Sequence, residues 1–262
     1  MNKKRVVALA DMHCGHRAGL TPPDFQDSTT AGPKKRRRYA QFQQQVWKFY
    51  AKTLAELQPI DDLFVVGDAV DGKGERSGGT EQLTLARTEQ VEQAVACINE
   101  AKAKQVYMIY GTAYHTGLDD DWEDLIAERV GAEISGHESI EVYKTVFDLK
   151  HFVGGSGVPH TRDTAINREE LWNMVWAYDG VQPRADILIR AHVHYFRYGG
   201  DGRRLRMTLP ALQGYGSKYG IRKCSGTISI GLVHFDVYEN GEYFWQPHLL
   251  DSALLRIKPR KG

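Results

Sequence analysis

The sequence predicts a layered α/β fold, and three features carry that prediction. Short apolar runs rich in β-branched residues alternate with longer stretches whose apolar residues recur every three or four positions, as buried strands alternate with amphipathic helices. Past residue 200 the pattern changes to closely spaced strand-like segments separated by glycine-rich turns. The apolar runs of the first two thirds also end in Asp or His, where open α/β sheets gather their ligands. At about 150 residues per domain, 262 residues allow one large domain or two small ones. No internal repeat or low-complexity linker divides the chain, so a single domain over 1–262 is expected.

The elements follow in order. Val6–Ala10 is a continuous apolar run of strand length that stops at Asp11. Tyr39–Leu57 places Phe42, Val46, Phe49, Tyr50, Leu54 and Leu57 at helical spacing. Leu63–Val66 is a second strand. Leu83–Lys104 is helical through Val91, Val95 and Ile98, and Val106–Tyr110 is a third strand. Asp121–Val130 and Arg168–Tyr178 are shorter helices. Between them Val142–Leu149 alternates as one further strand, and Ile187–Ile189, with Ala191 after Arg190, completes the buried set. Arg204–Leu209, Thr227–Tyr238 and Glu242–His248 read as antiparallel strands, with Asn240-Gly241 as a hairpin turn between the last two.

Composition removes several function classes. The 34 Lys+Arg nearly cancel 33 Asp+Glu, so no global charge argues for nucleic acid or an anionic membrane. Cys14, Cys97 and Cys224 are odd in number, far apart and without CxxC spacing, against a disulfide framework or a cysteine-type zinc site. The five apolar residues Val6–Ala10 are too few for a signal-peptide core, and no run approaches the roughly 18 needed to span a bilayer. The expectation is a cytoplasmic protein without membrane partners.

What ends each run carries the chemistry. The first runs into Asp11-Met12-His13, the second into Gly67-Asp68-Ala69-Val70-Asp71, and the third into Gly111-Thr112-Ala113-Tyr114-His115. The alternating run ends at Lys150-His151, and the last at Ala191-His192-Val193-His194. Carboxylate and neutral imidazole together form a mixed oxygen/nitrogen donor set suited to Mn, Fe or Zn and too rich in nitrogen for Ca. Each signal alone is weak, but the ordered set has little chance of arising by accident.

In that order the motifs resemble the calcineurin-like metallophosphoesterase superfamily, whose pattern is D-x-H, G-D-x-x-D, G-N-H-(D/E), a strand-end His and G-H-x-H. The resemblance covers roughly residues 6 to 238. It implies a four-layer sandwich, two mixed β-sheets flanked by helices, and a phosphoester substrate. It also implies two divalent metal ions, with Mn favoured over Fe or Zn, and a shared hydroxide that attacks phosphorus in line. Asp11, His13 and His194 would hold one ion, Asp68 would bridge, and His151 and His192 would hold the other. The chain departs where the family has G-N-H: Thr112 stands at the Asn position and His115 comes two residues late. Either Thr112 or a water completes the second site, or the loop bulges and His115 takes a role there. His115 is the candidate general acid, and Asp71 the second candidate catalytic residue, orienting a ligand or loop. Gly72 follows Asp71, where protein phosphatases of the family carry an Arg that binds phosphate, which counts against a protein phosphatase. The variant motif and Asp11–Pro23 also resemble a branch common in bacteriophage and prophage genomes.

Other clusters have two readings. Lys34, Lys35, Arg36, Arg37 and Arg38 precede the first long helix, as a solvated loop or as a contact for a nucleic-acid backbone. Asp119, Asp120, Asp121, Glu123 and Asp124 start a helix and complement its dipole, with no metal site inferred. His16 and His160 read as surface histidines and Cys14 as packing. Gly214–Gly226, with Tyr215, Lys218, Tyr219 and Arg222, is a candidate substrate-facing loop. The leading function is a binuclear phosphodiesterase, with a nuclease as one form of it. The alternatives are a nucleotide or small-molecule phosphomonoesterase and a non-catalytic metal-binding scaffold.

Overall fold

Two mixed β-sheets lie face to face, and each carries helices on its outer side. The computed structural model describes residues 2–117, 120–201, 204–215 and 227–251. The strands are β1 (Lys3–Leu9), β2 (Asp62–Val66), β3 (Gln105–Ile109), β4 (Glu133–Ser135), β5 (Glu138–Val142), β6 (Thr145–Leu149), β7 (Ile187–Arg190), β8 (Arg197–Gly200), β9 (Leu205–Thr208), β10 (Gly231–Tyr238) and β11 (Tyr243–Leu249). The helices are α1 (Lys34–Glu56), α2 (Arg87–Glu100), α3 (Ala113–Thr116), α4 (Trp122–Val130) and α5 (Arg162–Tyr178). One sheet runs β11-β10-β1-β2-β3-β4 and the other β5-β6-β7-β9-β8. Strands β1 to β4 pair in parallel, whereas β10 lies antiparallel to both β1 and β11. This is the α/β arrangement that the sequence resemblance implies.

The period of two along each strand builds two separate cores. From β1, Val7 and Leu9 face outward into a cluster with Val46, Tyr50 and Leu54 of α1 and Val91, Ala94 and Ile98 of α2. Val6 and Ala8 face inward, where Phe64, Phe147 and Phe235 fill the space between the sheets. Phe147 meets each of the other two rings edge to face at 5.3 Å, a favoured aromatic geometry. Strands buried on both faces explain the continuous apolar runs.

Some elements differ from the expectation. Val142–Leu149 is not one strand: the chain reverses at Tyr143, with φ of 53°, so β5 and β6 form a hairpin. The alternation runs through both arms, which hides the turn. The short β4 and the exposed, polar edge strand β8 lack an apolar pattern that could announce them. The last third is not wholly antiparallel, because β9 pairs in parallel with β7. Helix α1 begins at Lys34, so the basic run forms its first turns rather than a loop before it. Lys and Arg are good helix formers, which offsets their unfavourable position at the positive end of the dipole. No helix among the described residues is long and apolar enough to cross a membrane.

Beneath the ends of β6 and β7 lies a buried ionic network. Arg190 is fully buried and donates from Nη1 to Asp148 Oδ1 at 2.6 Å and from Nε to Glu169 Oε2 of α5 at 3.0 Å. Asp148 also accepts from Asn173 of α5 at 3.0 Å and from Gln182 at 3.2 Å, and His137 Nε2 lies 3.0 Å away. Burial alone would push the Asp148 carboxyl up, but the His137 contact and the Arg190 charge bring it down to about 2. A depressed carboxylate stabilises the fold above its unfolded pKa, and that contribution is lost as pH falls from about 4 through about 2. Asp148→Asn should therefore cost about 3 kcal/mol at neutral pH, since the Arg190 charge would keep only Glu169 as its anionic partner. Urea unfolding of both proteins from pH 7 to pH 2 checks this: the gap between them should narrow across that acid window, and a gap constant with pH would refute the account.

Candidate metal centre

Five strands deliver their terminal residues to one end of the sandwich. The loop after β1 runs beside the loop after β2, with Asp11 N donating to Gly67 O at 3.0 Å, His13 N to Asp68 O at 2.9 Å and Cys14 N to Ala69 O at 2.9 Å. The second sheet joins through His192 N, which donates to Asp11 Oδ2 at 3.2 Å, and within that sheet Ala191 N donates to His151 O at 2.8 Å, which aligns its two histidine-bearing strand ends. The backbone turns sharply here. Asp11, His13, Asp68, His192 and His194 have φ of 51°, 46°, 51°, 71° and 56°. Left-handed backbone costs a non-glycine residue of order 1–3 kcal/mol, so five together mark a place where side-chain direction outweighs local preference. Gly67 also has positive φ, and a Cβ there would fall 2.5 Å from His151 Nδ1, so no larger residue fits.

The side chains collect into neighbouring groups. Asp11, His13 and His194 form one: Asp11 Oδ1 lies 3.2 Å from His194 Nε2, which lies 3.2 Å from His13 Nε2. Asp68, His151 and His192 form another, with Asp68 Oδ2 at 3.1 Å from His151 Nε2. That same Asp68 oxygen is 4.0 Å from His13 Nε2, which puts the carboxylate between the two groups. Asp11, His13, Asp68 and His151 are buried, and His192 and His194 are partly so.

Hydrogen bonds behind the rings set their tautomers. His151 Nδ1 lies 2.7 Å from the Val66 carbonyl, which can only accept, so Nδ1 carries the proton and Nε2 turns a lone pair toward Asp68. His13 Nδ1 donates to Asp71 Oδ1 at 2.8 Å, which likewise leaves Nε2 to face Asp11, Asp68 and His194. Lone pairs set against carboxylates repel unless a proton or a cation lies between them. Accordingly, burial opposes a charge on His151, yet Asp68 holds it up at about 9. Burial likewise opposes the Asp11 and Asp68 charges, and the surrounding histidines keep both carboxyls below the ordinary range. Asp11 Oδ1, His151 Nε2 and His192 Nδ1 are buried with no hydrogen-bond partner among the described residues. Orphaned oxygen and nitrogen donors at this spacing fit a divalent transition ion.

The other expected residues surround these groups. Asp71 is buried, and besides holding His13 it accepts from Gln82 Nε2, so its contacts are with ligands and loop rather than with open space. His115 stands 4.6 Å from His13, ring to ring, with Nδ1 donating to the Asp71 carbonyl at 3.0 Å. It falls in a group with His13 and Asp71, away from His151 and His192. Thr112 donates from its amide and hydroxyl to Asp68 Oδ1, at 2.6 and 3.0 Å. His16 is buried rather than on the surface, its Nδ1 accepting from Ala18 N at 3.0 Å. Cys14 packs 3.8 Å from Cys97. Residues 216–226 of the glycine-rich loop, with Lys218, Tyr219, Arg222 and Cys224, lie outside the described residues, as does Asp119.

The sequence reading missed Glu123. It is fully buried, and its two oxygens accept from Ala69 N at 2.7 Å and Gly111 N at 2.6 Å, joining the loop of Asp68 to the loop of Thr112. Burial, with Asp68 nearby, pushes its carboxyl up to about 8 against the pull of those amides. Its signal was present as one acid too many at the start of α4, where Asp121 already caps by accepting from Glu123 N.

No family model and no curated protein matches the chain. Solved structures do. A Vps29 single mutant from Entamoeba histolytica is 12% identical, covering 94% of this chain and 99% of its own, with a TM-score of 0.47. A structure described as a novel archaeal phosphodiesterase is 11% identical, covering 93% and 99%, with a TM-score of 0.48. A predicted phosphoesterase from Streptococcus pneumoniae is 10% identical, covering 95% and 99%, with a TM-score of 0.39.

Glu123→Gln should show what the clasp contributes. One amide N–H would then face the glutamine NH2 group, donor against donor, at a cost of about 2 kcal/mol. Thermal unfolding should report that loss and equilibrium dialysis a weaker hold on Mn or Zn; wild-type values in both would remove Glu123 from the site.

Proposed function

We propose that the chain is a binuclear metal-dependent phosphoesterase that hydrolyses phosphodiesters. The observation that carries this reading is the pair of Asp/His groups with Asp68 between them and His115 alongside. Asp11, His13 and His194 would hold one cation and His151 and His192 the other, with Asp68 shared and Thr112 positioned on the Asp68 carboxylate. Bound Mn, favoured over Fe or Zn, would neutralise phosphoryl oxygens and lower the pKa of an attacking water.

The chain's own residues supply the rest. Asp71 fixes the His13 ring from behind, so that Nε2 points at the reacting region. The Asp71 carbonyl accepts a hydrogen bond from His115 Nδ1–H, so in the doubly protonated imidazolium it is Nε2 that carries the proton for a departing oxygen. The His115 side chain is 21% exposed, enough to meet a substrate that fully buried His13 and His151 would meet only through a cation. A nuclease form of this reading draws on Arg36, Arg37 and Arg38, exposed in the first turns of α1 beside Lys34 and Lys35, as contacts for a polynucleotide backbone.

Removal of metal should abolish hydrolysis of bis-nitrophenyl phosphate, and added Mn should restore it. Asp68→Asn should lower the rate by several orders of magnitude, because a neutral side chain cannot screen two cations held close together. Asp71→Asn should cost less, about 10- to 100-fold, as expected of a group that orients a ligand. Equal losses from the two substitutions would reverse these assignments, and activity that survives exhaustive chelation would end the metal mechanism.

His115→Ala separates acid from ligand. A nitrophenolate departs largely unaided, whereas an alkoxide needs a proton. The variant should lose at least about 100-fold more activity on an alkyl phosphodiester than on bis-nitrophenyl phosphate, with metal content unchanged. Uniform loss together with loss of one metal would make His115 a ligand. A fully metal-loaded wild type inert toward every diester would favour the scaffold.

A further inference from the structure

Beside His115 a cleft of about 410 Å³ opens between the loop after Asp71 and the start of α4. Its walls include Lys73, Glu75, Arg87, Tyr114, Asp120 and Trp122. It adjoins the candidate centre directly, since the Tyr114 and His115 rings are 4.8 Å apart. The volume lies within the roughly 300–1,000 Å³ of small-ligand sites.

The walls combine three kinds of group. Tyr114 and Trp122 are half-buried aromatics, each with an arginine guanidinium nearby: Arg76 lies 4.7 Å from the Tyr114 ring centre and Arg87 5.6 Å from that of Trp122. Lys73 and Arg87 bring positive charge, and Glu75 and Asp120 bring hydrogen-bond acceptors. Arg87 spends Nη1 on the Thr116 carbonyl at 3.0 Å, but its Nε is buried without a hydrogen-bond partner among the described residues. A plain alkyl group would use neither the acceptors nor that donor. A second phosphate would meet the Lys and Arg but be opposed by the two carboxylates. A nucleoside satisfies all three: a flat ring for the aromatics, ring amino groups for the carboxylates, and ring or ribose oxygens for the cations.

We propose that this cleft holds the nucleoside of the leaving group, so that the substrate is a nucleotide phosphodiester. The catalytic part rests on the phosphodiesterase reading; the binding part does not. Because the His115 ring packs against Tyr114 of the cleft wall, the oxygen it protonates is assigned to the group seated there. Water adds across the ester: a bond forms from water oxygen to phosphorus, the bond from phosphorus to the nucleoside oxygen breaks, and that oxygen takes the His115 proton. The proton released by water replenishes the imidazole. The products are a nucleoside and a phosphomonoester.

Two measurements test this. In the first, adenosine and, separately, inorganic phosphate are titrated against the metal-loaded protein with tryptophan fluorescence as readout. Adenosine should quench saturably and phosphate should not, with the quench reduced in Trp122→Leu. Lys73→Gln, at an exposed position with little part in the fold, should weaken adenosine several-fold. In the second, kcat/KM is compared for two diesters that share one nucleotide and differ in the leaving group, nucleoside or methanol. The wild type should prefer the nucleoside at least about tenfold, near the lower end of what base stacking contributes, and Trp122→Leu should erase most of that preference. Hydrolysis of both diesters without preference, and without an adenosine signal, would overturn the cleft assignment and leave the phosphodiesterase reading standing. Adenosine binding that depends on Trp122 and Lys73, in a metal-loaded protein inert toward every diester, would uphold the cleft and overturn the enzyme.

Discussion

Asp11 is the residue on which the two sheets agree. Its amide donates to Gly67 in the neighbouring loop, its carbonyl accepts from Leu212 N at 3.1 Å, and its Oδ2 accepts from His192 N across the sandwich. Its other oxygen is left for the Asp/His groups. A buried carboxylate is costly unless its lone pairs are used, and the bonds that use them align the end of β1 with the end of β7. If the sheets slid relative to each other, His192 and His194 would leave Asp11, Asp68 and His13. The packing of Phe64, Phe147 and Phe235 between the sheets holds the layers together without fixing that alignment, because apolar contact is nondirectional.

This end of the molecule concentrates unfavourable local choices. Five candidate ligands sit in left-handed backbone, and several histidines and carboxylates are buried within a few ångströms of one another. The apolar cores on either side of the six-stranded sheet offset that cost. So does the network under β6 and β7, where Arg190 links Asp148 to Glu169 just before the chain reaches His151 and His192. Glu123 does the same for the loops after β2 and β3. Both devices lie one layer behind the candidate ligands, and both act on backbone or on ionic partners that hold a strand end.

The sequence made the principal strands and the long helices legible, because runs such as Leu63–Val66 and the spacing of Val46, Tyr50 and Leu54 record burial directly. It also made the donor set legible, since Asp11, His13, Asp68, His151, His192 and His194 all stand within a few residues after the end of an apolar run. It did not reveal the Tyr143 reversal, edge strand β8 or the helical state of Lys34–Arg38. Their side chains are compatible with more than one backbone, and pairing or packing at a distance decided among them.

What the sequence determined by itself is therefore the inventory: which segments are buried, and which chemistries stand at their ends. Tertiary structure decided how that inventory is grouped. It set Asp68 between two sets of imidazoles, turned Nδ1 of His13 and His151 to acceptors so that Nε2 faces inward, and placed His115 against Asp71 rather than beside His151. It also made Glu123 a clasp and Arg190 a buried cation, roles that no local pattern distinguishes from a helix-end acid and a strand-end base. Burial is recorded in sequence because it is periodic along one element. Hydrogen bonds between residues as far apart as Asp11 and His192 depend on two sheets meeting, and only the assembled fold brings them within 3.2 Å.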